Sequence, residues 1–482
     1  MSDEKSYTGS DDVKKIDSSS ASTKEEATVG EAYDKEFERR TMRHVDWRII
    51  PILALVYTFA LIDRTNLGAA HTAGMGADLH MLKGNRFSIV SCMYFVPYII
   101  LQLPGNLVLR YFGVRNWLTF TVVAWGAVQL AMGFVKSWGY LVLCRVLLGV
   151  FEASFFPSLL FIISTWYKRH EVHTRLAVFY LISVTTGGFS SILAYVFSLL
   201  KGKRGLAGWR WIFIIEGAIT LFLAIITWLF IPAFPDQNTF LTAKQTELVL
   251  RRIDEDRGDA IPDPMTLEKV KKHLSDWTLW AYGIIFMCCA MPSYSQSFFL
   301  PIILRGMGWS QTAALLLSAP PYGPSVITTM IIAYFSDKHK HRSGYIVFCV
   351  LVCLVGVSLT AFAKQNEVKY FGAFLTNAGN SGAIPTVLAY ASNNVVTHSK
   401  RSVQTALTVG LGGVGGIIAT TVFRAQDAPK YIPGLIATII SQGIVLTLLA
   451  ILTVHFLWSN KQMREGKRKE PLEGQPGFFY TL

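Results

Sequence analysis

The sequence predicts an all-α integral membrane protein with twelve transmembrane helices, arranged as two six-helix bundles whose hydropathy is pseudo-symmetric. Three observations predict this class. Hydrophobic residues make up 51% of the 482 residues and charged residues only 16%, a composition that soluble proteins do not have. Apolar runs long enough to cross a bilayer recur along the chain. One polar stretch near the middle divides these runs into two sets of six.

A hydrocarbon core of about 30 Å requires roughly 20 apolar residues in a helix. The runs that meet this requirement are 49–67, 87–109, 115–135, 138–166, 173–199, 209–231, 277–300, 311–335, 344–363, 369–395, 403–423 and 433–458. Several contain proline, which membrane bundles tolerate because neighbouring groups satisfy the freed backbone. The prolines therefore shift the expected boundaries but leave the number of helices at twelve.

Five segments follow from these runs. Residues 1–46 are rich in Ser, Thr, Lys and Glu and are predicted to be a disordered cytoplasmic tail. The other segments are a first bundle at 47–232, a cytoplasmic central loop at 233–276, a second bundle at 277–460 and a cytoplasmic tail at 461–482.

The net charge of +13 indicates membrane topology rather than nucleic-acid binding, because the basic residues collect between the apolar runs. Cytoplasmic termini place most of these residues on the inner side. One outer loop is an exception, with Lys201, Lys203, Arg204 and Arg210. The six cysteines all lie in apolar runs, so neither a disulfide framework nor a metal site is predicted.

Charged residues lie deep inside two predicted membrane helices: Asp63 and Arg64 in the first, and Arg145 and Glu152 in the fourth. A lone charge at this depth costs at least about 2.5–3.5 kcal/mol, so these groups must pair or face a wet cavity. We expect an arginine to hold an anionic substrate while a carboxylate, which favours its neutral form away from water, exchanges a proton. The alternative is a static ion-pair cluster that locks the first and fourth helices together.

Uncharged polar residues extend this candidate site. Tyr94, Tyr98 and Gln102 share one face of the second helix, where core packing is as plausible as substrate contact. Further candidates for substrate contact in the second half are Tyr294, Gln296, Asn377 and Asn380. Glu216 in the sixth helix is expected to pair with Arg210 rather than to line the cavity.

The motifs resemble those of a known family. Ile62-Asp63-Arg64-Thr65-Asn66-Leu67 is similar to the first-helix element of the anion:cation symporters in the major facilitator superfamily, and residues 145–171 resemble their fourth helix. Residues 208–213 with Glu216 resemble the fungal allantoate permease-like branch, which includes nicotinate, pantothenate and biotin carriers. The resemblance covers roughly residues 45–460.

The resemblance implies the twelve-helix fold of that superfamily, alternating access and proton-driven uptake of an organic carboxylate at the plasma membrane. It implies that Asp63 and Glu152 are protonation sites, that Arg64 and Arg145 are anion or coupling partners, and that Tyr98 lies beside the substrate. The family's inner-gate loop motif occurs once in each half. The first copy is incomplete here because Arg110 lacks an accompanying acid, whereas the second copy retains Asp337 and Lys338. We expect these three residues to contribute to gating.

Other functions are disfavoured. The chain has no Gly-x-x-x-x-Gly-Lys-Ser/Thr pattern, so a nucleotide-driven pump is not expected, and an enzyme is not predicted. Export of an acidic metabolite remains an alternative to uptake, and a non-transporting nutrient sensor is a second one. The expected partners are a small organic anion, protons and the lipid bilayer, with no cofactor, no metal and a monomeric state.

Overall fold

The computed structural model describes residues 11–168, 171, 175, 182, 188–231, 235–258, 266–339, 341–428, 430–468, 470–475 and 477–482. Side chains are described from residue 35 onward, except at a few positions that include Arg110. The described residues contain helices and turns and no strand. The all-α prediction is therefore confirmed.

Eight helices of six or more residues are described before the central loop. They are α1 Asp11–Ala70, α2 Arg86–Cys92, α3 Phe95–Phe112, α4 Val114–Met132, α5 Trp138–Glu152, α6 Phe155–Trp166, α7 Ser190–Ser198 and α8 Gly208–Phe230. A π-helical turn, His71–Met75, follows α1. About half of the predicted fifth span, 173–199, lies outside the described residues.

Two described helices occupy the central loop, and seven follow it. The loop helices are α9 Ala243–Gly258 and α10 Leu267–Leu274. The second half contains α11 Trp277–Gly306, α12 Gln311–Leu316, α13 Tyr322–His339, α14 Ser343–Phe362, α15 Asn366–Asn393, α16 His398–Val422 and α17 Ile432–Arg464. Within the described part of the chain, seven helical segments are long and apolar enough to cross a membrane. The remaining predicted spans are shorter, broken or more polar.

Proline explains two of the breaks. The second and fourth predicted spans each divide into two helices, at residues 93–94 and 153–154. Pro97 is the third residue of α3, and Pro157 is the third residue of α6. A proline has no N–H to donate to the carbonyl four residues earlier, so the preceding helix ends there, while the first turn of a new helix accepts the ring.

Helix α1 begins at Asp11, within the segment 1–46, whose assignment as a cytoplasmic tail stays a prediction. Its described side chains near the membrane end are held by the fold: Met42 and Val45 are buried in the core. Arg175 donates to Asp46 at 2.7 Å. These contacts fix α1 at residues 42–46.

Residues 471–482 also differ from a simple tail, because they dock on the second half; we call them the docked segment. Glu473 accepts from Lys400 Nζ at 2.7 and 2.8 Å. The ring of Tyr480 stacks on Phe456, with 4.3 Å between centroids. Asn394 exchanges hydrogen bonds with the backbone of Thr481. The segment thus ties α15, α16 and α17 together at one end.

The two halves meet at the end of the bundle opposite the docked segment and central loop. Helix α1 packs on α11, and α16 packs on α2 and α3. Gly68 approaches the backbone of Phe298 so closely that a Cβ there would lie 2.1 Å from its carbonyl oxygen. Ser88 donates to the carbonyl oxygen of Phe423 at 3.4 Å. These contacts hold that end of the molecule closed.

Candidate functional site

The central ion pair joins α1 to α5. Arg64 donates from Nη2 to Oε1 of Glu152, and both side chains are buried, with exposed fractions of 6% and 2%. Two further atoms of the pair, Arg64 Nε and Glu152 Oε2, have no hydrogen-bond partner among the described residues. The pair therefore retains one free donor and one free acceptor.

Two aromatic rings of α3 and the α2–α3 junction cover Arg64. Its guanidinium carbon lies 4.8 Å from the ring centroid of Tyr98 and 5.2 Å from that of Tyr94. The two rings stack on each other at 5.5 Å. Because both rings present their negative faces, they stabilise the buried cation without consuming its hydrogen-bond donors. Gln102 is buried one turn beyond Tyr98.

Arg145 binds backbone rather than a carboxylate. Its Nη1 and Nη2 donate to the carbonyl oxygens of Asp63 and Arg64, at 3.4 and 3.2 Å. Both carbonyls lie on α1, so the arginine of α5 fixes the turn that carries Arg64. The sequence predicted Arg145 as an anion partner, and the structure gives it contact with the helix that carries the ion pair.

Asp63 points away from that ion pair. Its Oδ2 accepts from Trp125 Nε1 at 3.1 Å and from Thr220 Oγ1 at 2.9 Å, and Asp63 is fully buried. The sequence analysis did not single out these partners. The available signal was a spacing of four residues between polar groups on an apolar helix, which places both groups on one face. Trp125 and Gln129 have this spacing, and so do Glu216 and Thr220.

Glu216 corrects a prediction. It accepts a hydrogen bond from Asn66 Nδ2 and not from Arg210. Arg210 instead donates to the carbonyl oxygen of Gly133 at 2.9 Å and lies over the ring of Trp209. The physical reason is position: Arg210 is at the first turn of α8, whereas Glu216 is nearly two turns inside and faces α1.

The second half contributes one aromatic ring next to the ion pair. Tyr294 packs edge-on against Phe95, with 5.0 Å between centroids, and Phe95 also packs on Tyr94, whose ring lies over Arg64. It thus approaches the first-half site from across the interface between the halves, where an anion held by Arg64 would lie.

The amides predicted to contact substrate lie in the interior of the second half, and their role in binding stays a prediction. With its amide suitably oriented, Asn380 donates to the carbonyl oxygen of Cys289 at 2.5 Å and accepts from Ser293 N–H. Gln296 lines a small cavity of about 30 Å³ inside the second half. Asn377 is buried, and its Nδ2 has no described partner. Asn380 and Gln296 therefore contact the interior of the second half rather than Arg64.

Proline in α11 accounts for this arrangement. Pro292 cannot donate to the carbonyl of Cys288, and Gln442 Nε2 of α17 donates to that oxygen instead at 3.0 Å. Neighbouring side chains commonly satisfy the backbone groups that a proline frees in a membrane helix. The amides of α15 and α17 thus satisfy carbonyl oxygens of α11 next to its proline.

The predicted gate residues lie at the end of the molecule that carries the docked segment. Asp337 is exposed and accepts from Arg342 Nη2 at 2.8 Å, which links α13 to the start of α14. Lys338 lies 5.9 Å from the ring centroid of Tyr334. Arg110 is in α3, and its side chain lies outside the described residues. Their role in gating stays a prediction.

Comparison with known proteins gives the family. The model of the Major Facilitator Superfamily matches residues 53–420. The chain is 31% identical over 475 residues to the major facilitator-type transporter hxnP of Emericella nidulans, covering 96% of this chain and 94% of that protein. It is 30% identical over 443 residues to the MFS-type transporter efuF of Hormonema carpetanum, with 91% and 89% covered.

The fold agrees with this match. A bacterial homologue of the human lysosomal transporter Spinster, in an inward-facing and unoccupied conformation, superposes with a TM-score of 0.66 at 14% identity, covering 86% of this chain and 98% of that chain. The predicted architecture and the prediction that the chain is not an enzyme are confirmed. This multi-pass membrane transporter belongs to the Major Facilitator Superfamily.

Proposed function

We propose that the protein is a proton-coupled symporter that takes up a small organic carboxylate, such as nicotinate or a related vitamin or nitrogen-source anion. The buried Arg64–Glu152 pair carries this proposal. We further propose membership of the anion:cation symporter branch, a monomeric state, and a plasma-membrane location with cytoplasmic termini. The energy source is the proton gradient, with no cofactor.

The pair supports exchange between a proton and a substrate. An ionised Glu152 neutralises Arg64, so the site is balanced when empty. Protonation of Glu152 releases Arg64 Nη2, which then joins the unpartnered Nε to form the two-donor edge that binds a carboxylate bidentately. Substrate binding is thereby favoured by proton uptake, and loss of the proton restores the ion pair and expels the anion.

The interface between the halves supports alternating access. The rings over Arg64 belong to the first half, and Tyr294 of the second half packs on Phe95, three residues before Tyr98 on α3. One end of this interface is closed by the contacts of Gly68 and Ser88. A substrate at Arg64 would reach the two sides of the membrane in turn as the halves rock about the site.

The test is uptake of labelled nicotinate, pantothenate, biotin, allantoate and small dipeptides by proteoliposomes at external pH 5 and pH 7. We expect one substrate or more to enter faster at pH 5, and Glu152→Gln to abolish the effect of pH. Glu367→Gln, at an exposed position, is the matched control. Equal flux at both pH values would remove the proton coupling. Efflux without uptake in preloaded vesicles would replace symport by export.

A further inference from the structure

A second buried carboxyl group lies in the first half, outside the Arg64–Glu152 pair. Glu216 is 0% exposed, and its Oε2 accepts from Asn66. Its other oxygen, Oε1, has no hydrogen-bond partner in the part of the chain that the structure describes. The described ion pairs do not include Glu216. It is thus an acid buried without a cation.

Among the described residues, the charged side chain that interacts electrostatically with Glu216 is that of Asp63 in α1. Helix α4 faces it with the neutral Gln129. The sequence of α7 carries no ionisable side chain except Tyr195. The π-helical turn that contains His71 also packs on α8. The ring of His71 contacts the ring of Phe87, with 4.6 Å between the two centroids.

The buried side-chain atoms around Glu216 include more unpartnered hydrogen-bond acceptors than donors. We call Asp63, Asn66, Gln129 and Glu216 the cluster. Each of its residues has one fully buried oxygen atom without a described partner: Asp63 Oδ1, Asn66 Oδ1, Gln129 Oε1 and Glu216 Oε1. Against these four acceptors, the cluster contains one donor without a partner, Gln129 Nε2. Buried polar groups are almost always hydrogen-bonded, so this imbalance favours an additional donor at the cluster.

The charges of the buried residues in the first half lead to the same conclusion. Among the residues that the structure describes, the buried acids and arginines in the membrane interior of the first half are Asp63, Arg64, Arg145, Glu152 and Glu216. If all were ionised, three negative charges would face two positive ones. One proton removes the excess. Glu152 is paired with Arg64. Neither Asp63 nor Glu216 forms a described ion pair through its carboxylate, but Arg145 contacts the main-chain carbonyl oxygen of Asp63, whereas no described cation contacts Glu216. Glu216 is therefore the better place for the proton.

We propose that Glu216 holds a proton in this conformation and forms a second proton-exchange site with Asp63, separate from Glu152. The added O–H donates from Oε1 to the amide oxygen of Gln129 or Asn66. A proton fits because each acid has a single free oxygen, whereas a bound metal cation needs several converging oxygens. Asn66 lies two residues after Arg64 on α1, so the protonation state of Glu216 reaches the turn that binds the anion. This coupling role rests on the proposed symport, but the presence of the proton does not.

Infrared difference spectroscopy of the purified full-length protein tests the proton directly. We expect a carboxylic-acid C=O stretching band that persists in the parent from pH 5 to pH 7. The band is lost in Glu216→Gln and retained in Glu152→Gln. Because glutamine has the shape and hydrogen-bonding capacity of a protonated glutamate, Glu216→Gln should melt at or above the parent temperature. Absence of the band in the parent, or its persistence in Glu216→Gln, overturns the proposal.

A cation site is the competing occupant, and a second measurement separates it. Melting temperatures in sodium chloride and in choline chloride should be equal for the parent. A sodium-dependent rise that Glu216→Gln abolishes would replace the proton by a metal ion. Transport adds an independent outcome: if the infrared band behaves as expected while flux does not depend on pH, the proton site stands and the proposed symport fails.

Discussion

Arg145 donates to the main-chain carbonyl oxygen of Arg64 at 3.2 Å, so one buried arginine holds the backbone of the other. This relationship separates two roles that the sequence could not distinguish. Arg64 presents its side chain to Glu152, Tyr94 and Tyr98, whereas Arg145 positions the turn of α1 on which Arg64 lies. The first prediction follows from this division.

Arg145→Lys should slow transport by about tenfold or more while the protein still reaches the membrane. A lysine carries the charge but cannot reach two carbonyl oxygens in a planar fork, and losing a hydrogen bond to a charged group costs about 1.5–3 kcal/mol. The measurement is initial uptake rate at matched surface expression. Arg305→Lys, at an exposed arginine that donates to one carbonyl oxygen, is the control. An unchanged rate in Arg145→Lys would contradict the positioning role.

Tyr98→Leu should weaken substrate affinity, whereas Tyr98→Phe should retain most of it. The ring face stabilises the Arg64 guanidinium, and a cation–π contact contributes about 0.5–2 kcal/mol, or roughly 2- to 30-fold in affinity. Phenylalanine keeps this face and leucine removes it. Competition binding with unlabelled substrate measures the difference. Equal losses in both variants would indicate that the hydroxyl group, not the ring face, matters.

Gly68→Ala should prevent the halves from closing as they do here. The added Cβ would lie 2.1 Å from the carbonyl oxygen of Phe298, a backbone atom that cannot move alone. Gly443→Ala, where nothing lies within 4 Å, is the matched control. Transport should fall in the first variant only.

Spin labels at Ile89 and Thr421, which flank the contact between Ser88 and Phe423, report this closure. Pulsed electron–electron double resonance should show a longer distance between the two labels in Gly68→Ala than in its parent. The labels need a background in which the two partly exposed native cysteines, Cys92 and Cys144, are serine. The same distance distribution in both proteins would show that the close approach of Gly68 does not limit closure.

Glu473→Gln should lower thermal stability by the equivalent of about 1.5–3 kcal/mol, the contribution of a hydrogen bond to a charged group. Glu473 accepts from Lys400 and from the hydroxyl group of Tyr480, and its side chain is only 9% exposed. Glu465→Gln, at a surface position that pairs with Lys467, should change stability little. Equal melting temperatures for both variants would mean that the docked segment contributes nothing to the fold.

Asp276 gives a prediction about pH. Burial alone would raise its pKa, but hydrogen bonds from Lys400 and Thr278 outweigh burial and lower the pKa below the usual 3.8. A lowered pKa contributes stability above the unfolded value, and this contribution is lost as the pH falls through the folded value. The difference in melting temperature between the parent and Asp276→Asn should therefore stay constant from pH 8 to pH 5. A difference that shrinks within that range would contradict this assignment.

The sequence by itself determined the class of the protein. Long apolar runs require helices because a bilayer offers no partner for the backbone, and charged residues inside those runs must find partners. Asp63, Arg64, Arg145 and Glu152 could therefore be selected before any fold was known.

Only the tertiary structure decided which partners these groups have. Depth along a helix places Asp63 and Arg64 level with Arg145, but neighbouring residues on a helix point about 100° apart. Arg64 therefore meets Glu152 on α5, while Asp63 turns to Trp125 and Thr220. The pairing of Glu216 with Asn66 depends on how α1 packs on α8. Hydropathy carries no record of that contact, because it measures how deep a residue lies and not which way it faces.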